Sequence, residues 1–294
     1  RSSDLKEGTN PVATLGSSSS GKKLQLHSGI PPVSYAGAYT LVFAPDTTAN
    51  VLPKPTGSGF ATAAIDSKGK MTLAGALADG TKITASLLPD AEVGYRLYLM
   101  PYTGRVNSYC AAWFEPNEHP DAALVGRGII TLGDNLSLYW AKAANAKDTN
   151  YRGGIPESKC AITMDPWLPP TLKTPIFTLP QRLVLNGTGD IIPVFESGVS
   201  ALTPSIPTLL RMDSKGSVSV NLPAVTPANP SGYKITVIAA TGAFSGSFNL
   251  TDGSVKRPVN FSGVMRQPPL AEVTPVIIGA GFGIVQQLTG SLAG

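Results

Sequence analysis

Asp66-Ser67-Lys68-Gly69-Lys70-Met71-Thr72-Leu73-Ala74-Gly75-Ala76-Leu77-Ala78-Asp79-Gly80-Thr81 is the stretch on which the fold turns. Gly69 supplies a turn. Met71, Leu73 and Leu77 then alternate with Lys70, Thr72 and Ala76, the period of a strand with one buried face. Asp79-Gly80 is a strong hairpin signal. Ile83, Ala85 and Leu87 take up the same alternation beyond it. A second copy of the pattern runs from Ala240 to Ser254: a turn glycine at Gly242, a strand interrupted by Gly246, and the Asp252-Gly253 turn. Glycine inside a strand marks a bulge, a bend or a close backbone approach.

Working outward, further alternating runs appear at Gly37–Ala44, Tyr95–Met100 and Leu136–Trp140 in the first half. In the second half they appear at Arg182–Asn186, Val218–Leu222, Tyr233–Val237, Val259–Met265 and Val276–Val285. No segment sustains an apolar period of 3.6 with caps, so helix should be minor. The expected fold is all-β: two related antiparallel β-barrel or β-sandwich halves with an extended N-terminal arm. The arm covers residues 1–34. The first β domain covers 35–165 and the second 166–294, divided where Pro166-Trp167-Leu168-Pro169-Pro170 begins a proline-rich stretch.

The composition fits that architecture. Charged residues make up 14% of the 294, against roughly a quarter in an average soluble domain. The 31 glycines and 26 prolines suit short strands and many turns. A net charge of +4 with no basic stripe leaves no nucleic-acid footprint. No apolar run reaches the roughly 20 residues of a membrane span. Cys110 and Cys160 stand 50 residues apart, outside any metal-ligand spacing. One structural disulfide suits them in an extracellular chain, with two buried thiols as the alternative.

Gly37-Ala38-Tyr39-Thr40, Gly57-Ser58-Gly59-Phe60-Ala61, the Gly69…Gly75…Asp79-Gly80-Thr81 pattern and Leu97-Tyr98 form one set of motifs. Thr241–Phe248, Phe261-Ser262-Gly263-Val264 and Gly279–Gly283 form the matching set in the second half. Together they resemble a repeated β domain of large secreted or surface proteins in planctomycete and verrucomicrobial bacteria. The resemblance implies a barrel-like surface module, and it brings no catalytic residues to carry over.

Motifs that carry chemistry are near misses. Gly16–Lys23 has Lys23 where a P-loop needs a hydroxyl for magnesium, and it reads as linker. Val276–Gly283 has the wrong glycine spacing for a dinucleotide fingerprint and reads as a strand of small residues. The two histidines, His27 and His119, offer no triad and no histidine-rich metal site. Glu115–Asp121 gathers three carboxylates that could meet calcium, but without EF-hand spacing the plain reading is a solvated loop. No catalytic residue, cofactor or metal is expected.

Two segments invite partners. Lys22, Lys23, Leu24, Gln25, Leu26 and His27 form a short alternating run in the arm, suited to docking as a strand on a neighbouring copy. Tyr98 and Tyr102 fall on the face opposite Leu97 and Leu99, among other aromatics including Tyr109, Trp113 and Tyr139. A two-sided core, an assembly interface or a sugar-stacking platform would each use them. The expected function is a non-enzymatic extracellular or cell-surface structural protein that assembles with copies of itself. The alternative is a carbohydrate-binding or adhesive module.

Overall fold

A computed structural model of the chain describes residues 36–45, 55, 57–89, 94–114, 137–148, 151–169, 190–191, 210–212, 218–220, 232–252, 255–267 and 279–285. All regular structure among them is β-strand. The first half holds β1 (Gly37–Pro45), β2 (Gly59–Ile65), β3 (Met71–Ala76), β4 (Lys82–Leu87), β5 (Tyr95–Leu99), β6 (Tyr109–Phe114), β7 (Ser137–Lys142) and β8 (Ile155–Trp167). They form one eight-stranded antiparallel sheet in the order β4-β3-β2-β1-β8-β7-β6-β5. Except for β4 and β5, consecutive strands pair with one another, and β8 returns to pair with β1. The sheet therefore curls until β4 and β5, consecutive in the chain, lie alongside one another. The result is a nearly closed barrel whose seam is β4/β5.

Alternation decides what fills it. Tyr39, Leu41 and Phe43 point inward from β1. Ala61, Ala63 and Ile65 do so from β2, Leu138 and Trp140 from β7, and Cys160, Ile162 and Met164 from β8. All are buried in a single apolar cluster. An eight-stranded barrel has an interior just wide enough for side chains to fill, and burying each large apolar side chain contributes about 1.5–3 kcal/mol.

The glycines of the opening stretch have separate duties. Gly69 and Gly80 take φ of +82° and +85°, the left-handed turn region. Gly75 lies on β3 opposite Ala61, and a Cβ there would sit 2.0 Å from the Phe60 carbonyl oxygen. At Gly246, its counterpart in the second half, a Cβ would likewise clash with the Lys234 carbonyl and the ring of Phe261. Both are points where neighbouring strands close in.

Two tyrosines span the seam. Tyr95, at the start of β5, donates its hydroxyl to the Gly69 carbonyl in the β2–β3 turn, 2.7 Å away. At the opposite end Tyr102 donates to Asp79 in the β3–β4 turn, 2.9 Å away. Each bond carries the chain beyond β4 to the strands it faces, tying the seam at both rims.

The second half contributes β9 (Asp190–Ile191), β10 (Leu210–Met212), β11 (Val218–Val220), β12 (Lys234–Ile238), β13 (Ala243–Asp252), β14 (Val255–Met265) and β15 (Gly279–Val285). The first three make a small sheet, β11-β10-β9. The rest make a four-stranded antiparallel meander, β12-β13-β14-β15. This meander lies on the outside of the barrel. Val264 packs with Val42, Phe60 and Ala76, and Met265 packs with Trp167. Polar groups fix the junction. The Arg266 guanidinium holds the Asp165 carboxylate at 2.6 and 3.4 Å, with both side chains buried. Trp167 donates to the Ala239 carbonyl at 2.9 Å, and Gln267 makes a two-way amide pair with Leu168.

Two expectations need amendment. The Cys110–Cys160 disulfide is not formed, and both residues are buried thiols. Cys110 on β6 lies opposite Trp140 and Cys160 on β8 opposite Leu138, so β7 runs between them. Two strand spacings, about 9.5 Å, exceed the Cα separation a disulfide spans. The expected boundary at 165/166 falls inside β8, which continues to Trp167. The alternation of Cys160, Ile162 and Met164 marks this strand in the sequence, but the prolines beside it read as linker. Of the expected strand Val276–Val285, the described part, Gly279–Val285, is a strand paired to β14.

Candidate functional site

Two places gather functional side chains: the upper rim of the barrel, where β1, β3, β5 and β7 end, and the outer face of β5, β6 and β7.

At the upper rim the chain leaves β5 and turns back over the barrel. A turn bond from Arg105 N to Tyr102 O, and Asn107 at a φ of 60°, reverse it into β6. Asparagine tolerates that left-handed conformation better than most residues. The reversal carries Tyr102 inward, and it is 7% exposed. It is therefore not part of an outer aromatic surface, as its place in the strand alternation suggested. The alternation ends with β5, and the turn sets the side chain's direction from there.

Around Tyr102 the polar groups satisfy one another. Its hydroxyl donates to Asp79 Oδ2 and accepts from Trp140 Nε1 at 2.8 Å. Lys142 Nζ lies 2.9 Å from Asp79 Oδ2 and 2.6 Å from Asp148 Oδ2, and Arg105 reaches Asp148 at 3.2 Å. Lys142 also sits 5.2 Å from the centre of the Tyr102 ring and 5.5 Å from that of Tyr151. Two carboxylates meet two cations, so the cluster is neutral. Burial, and then the negative charge of Asp79, push the Tyr102 hydroxyl far above its ordinary range. It stays a protonated donor. The cluster joins the β3–β4 turn, the β5–β6 loop and the β7–β8 loop, and Ser108 adds a bond by accepting from Ala143 N at 2.8 Å. A narrow crevice beside it, lined by Pro45, Pro55, Gly57, Ala78, Trp140 and Cys160 among others, has room for about one water.

On the outer face the register builds a second arrangement. Leu97 and Leu99 point inward, so Tyr98 points out and is 65% exposed. Cys110 and Ala112 point inward, so Tyr109, Ala111 and Trp113 point out, with Trp113 42% exposed. Ala111 pairs with Tyr98 on one side and Tyr139 on the other. Tyr109 and Trp113 lie two residues before and after it on the same strand face. A small side chain is thus ringed by four aromatic ones. Tyr98 and Tyr109 are close to parallel, 17° apart with centroids at 6.2 Å. Tyr109 donates its hydroxyl to the Glu157 carboxylate. Partial burial, reinforced by that carboxylate, pushes the Tyr109 hydroxyl up to about 12. Arg96 pairs with Trp113 across the strands, and Lys159 pairs with Tyr139.

The predicted pair, Tyr98 and Tyr102, is thus divided: one outside, one buried. Ala111, Arg96 and Glu157 were missed. The signal for Ala111 lay in Tyr109-Cys110-Ala111-Ala112-Trp113, whose alternation becomes legible only when Cys110 is placed inside. The arm residues Lys22–His27, the acidic run Glu115–Asp121 and both histidines lie outside the described residues. Among the described residues no group of three or more His, Cys, Asp or Glu side chains is placed to hold a metal. Among the same residues no helix is long and apolar enough to cross a membrane. The chain matches no known family model, no curated protein and no solved structure.

Proposed function

We propose that this protein is a non-enzymatic structural module of a cell surface or extracellular layer, acting through its exterior and assembling with copies of itself. The observation that carries the reading is the filled barrel. Its interior is a continuous apolar cluster rather than a ligand chamber, and the charged groups at its upper rim are committed to one another. The side chains left for outside contact stand on the outer face. The low charge content and the resemblance to repeated surface domains of planctomycete and verrucomicrobial bacteria support the same reading. The unbridged cysteines remove the redox argument for an oxidising compartment, so the location rests on composition and that resemblance.

In this reading Lys22–His27 docks as an added strand on a neighbouring copy. Negative-stain electron microscopy and light scattering of the full chain test it. Ordered assemblies are expected, and deletion of residues 1–30 should return monomers. A monomeric full chain, or assemblies indifferent to the deletion, would refute the proposal.

A further inference from the structure

We propose that the hollow floored by Ala111 on the outer face of β5, β6 and β7 is a glycan-binding site that seats a pyranose ring. This goes beyond self-assembly through the arm and does not depend on it.

The dimensions come from the sheet. Tyr98 and Tyr139 stand one strand to either side of Ala111, about 9.5 Å apart, and Tyr109 and Trp113 stand about 13.5 Å apart along β6. The alanine methyl leaves the middle low, while the aromatic rings rise around it. Binding sites of this kind combine apolar surface with a few placed polar groups. Here the polar groups are Arg96 beside Trp113, Lys159 beside Tyr139, and Glu157 bonded to Tyr109. The Glu157 bond also holds the Tyr109 ring nearly parallel to Tyr98 before any ligand arrives, and a preformed site lowers the ordering cost of binding.

The chemistry of the rim selects the occupant. Aromatic rings with a carboxylate could suit a quaternary ammonium, but Arg96 on β5 and Lys159 on β8 place a cation on either side of the hollow and would repel it. An apolar peptide would strip water from those charges without replacing their hydrogen bonds, at a cost. A sugar fits both demands. Its C–H face lies on aromatic rings, and its edge hydroxyls accept from Arg96 and Lys159 and donate to Glu157.

Native affinity electrophoresis of the full chain, in gels containing hydroxyethylcellulose, xylan, starch or polygalacturonate, tests this. At least one polysaccharide should retard the protein. Trp113→Ala and Ala111→Glu should each weaken that retardation about tenfold or more. Trp113→Phe should keep most of it, and Ile238→Ser, at an exposed position on β12, should leave it unchanged. Near-ultraviolet circular dichroism checks that each variant is folded, and Tyr98→Ser serves if Ala111→Glu is not. The proposal fails if no polysaccharide retards the chain or if folded Trp113→Ala and Tyr98→Ser bind as the parent does. It fails also if these substitutions alter only the mass seen by light scattering, which would make the face a contact between copies. Retardation by polygalacturonate alone, surviving Trp113→Ala but lost in high salt, would mark a mere charge effect and overturn it too.

Discussion

Two outer faces of the barrel have opposite fates. The face around β1 and β2 is covered by β14 and its neighbours. The face of β5, β6 and β7 leaves Tyr98 and Trp113 exposed. The covered face sets two rings, Phe60 between Val42 and Ala76 and Trp167 beside Ala38, among smaller residues, and Val264 and Met265 pack onto them. The exposed face sets rings around a single alanine. Both faces carry rings, and they differ in whether a second sheet supplies the side chains that fill the relief between them.

The largest effect should come from the covered face. Asp165 and Arg266 are paired and buried there, so Arg266→Leu leaves a carboxylate without its cation. Breaking a buried pair from one side costs about 3–5 kcal/mol, read as a fall in the urea midpoint. The double replacement Asp165→Leu with Arg266→Leu should recover much of the loss. If the single variant is as stable as the parent, the junction is not held as described.

Gly242 gives the next largest effect. It takes a φ of +74°, and a Cβ there would lie 2.8 Å from the Trp167 ring. Gly242→Ala should cost about 2 kcal/mol or more through backbone strain and the displaced indole. Tryptophan fluorescence should report the displacement. The same measurement on Trp113→Ser, at the exposed face, should show stability within about 0.5 kcal/mol of the parent.

Alkali should find the buried side of the molecule first. Burial pushes the Cys110 thiol up to about 12, with the nearby Cys160 adding to the rise, and burial pushes the Tyr102 and Tyr233 hydroxyls well above their usual range. All are acids held neutral in the folded state. Above their unfolded values, near pH 9 for the thiol and 10 for the phenols, the unfolded chain releases protons that the folded chain keeps. Stability is therefore full below about pH 9 and falls as pH rises toward and beyond 12. Urea titrations at pH 8, 10 and 11 should show this order, and a flat profile would contradict it.

Thr40 should give the smallest change. It is fully buried at the covered face, and its hydroxyl has no hydrogen-bond partner among the described residues. Thr40→Val keeps the shape and removes an unsatisfied group, so stability should hold or rise by up to about 1 kcal/mol.

Much of the barrel was legible in the sequence because its strands obey a period of two and its turns use Gly69 and Asp79-Gly80. β8 was hidden by Pro156 and Pro166 at either end of a good alternation. The outer aromatic site was half legible. Tyr98 stood out, but Tyr102 was misplaced because it lies beyond the strand whose period was used to orient it.

The sequence by itself determined the all-β class, the Asp79-Gly80 hairpin and the inward sets of β3, β4, β5 and β7, since alternation and turn chemistry act over a few residues. Tertiary structure decided which strands became neighbours. That pairing put β7 between Cys110 and Cys160, brought Asp79, Tyr102 and Lys142 to one rim, and set Tyr98 and Tyr139 on either side of Ala111. Each relation joins residues far apart in the chain through sheet register, which no local pattern specifies.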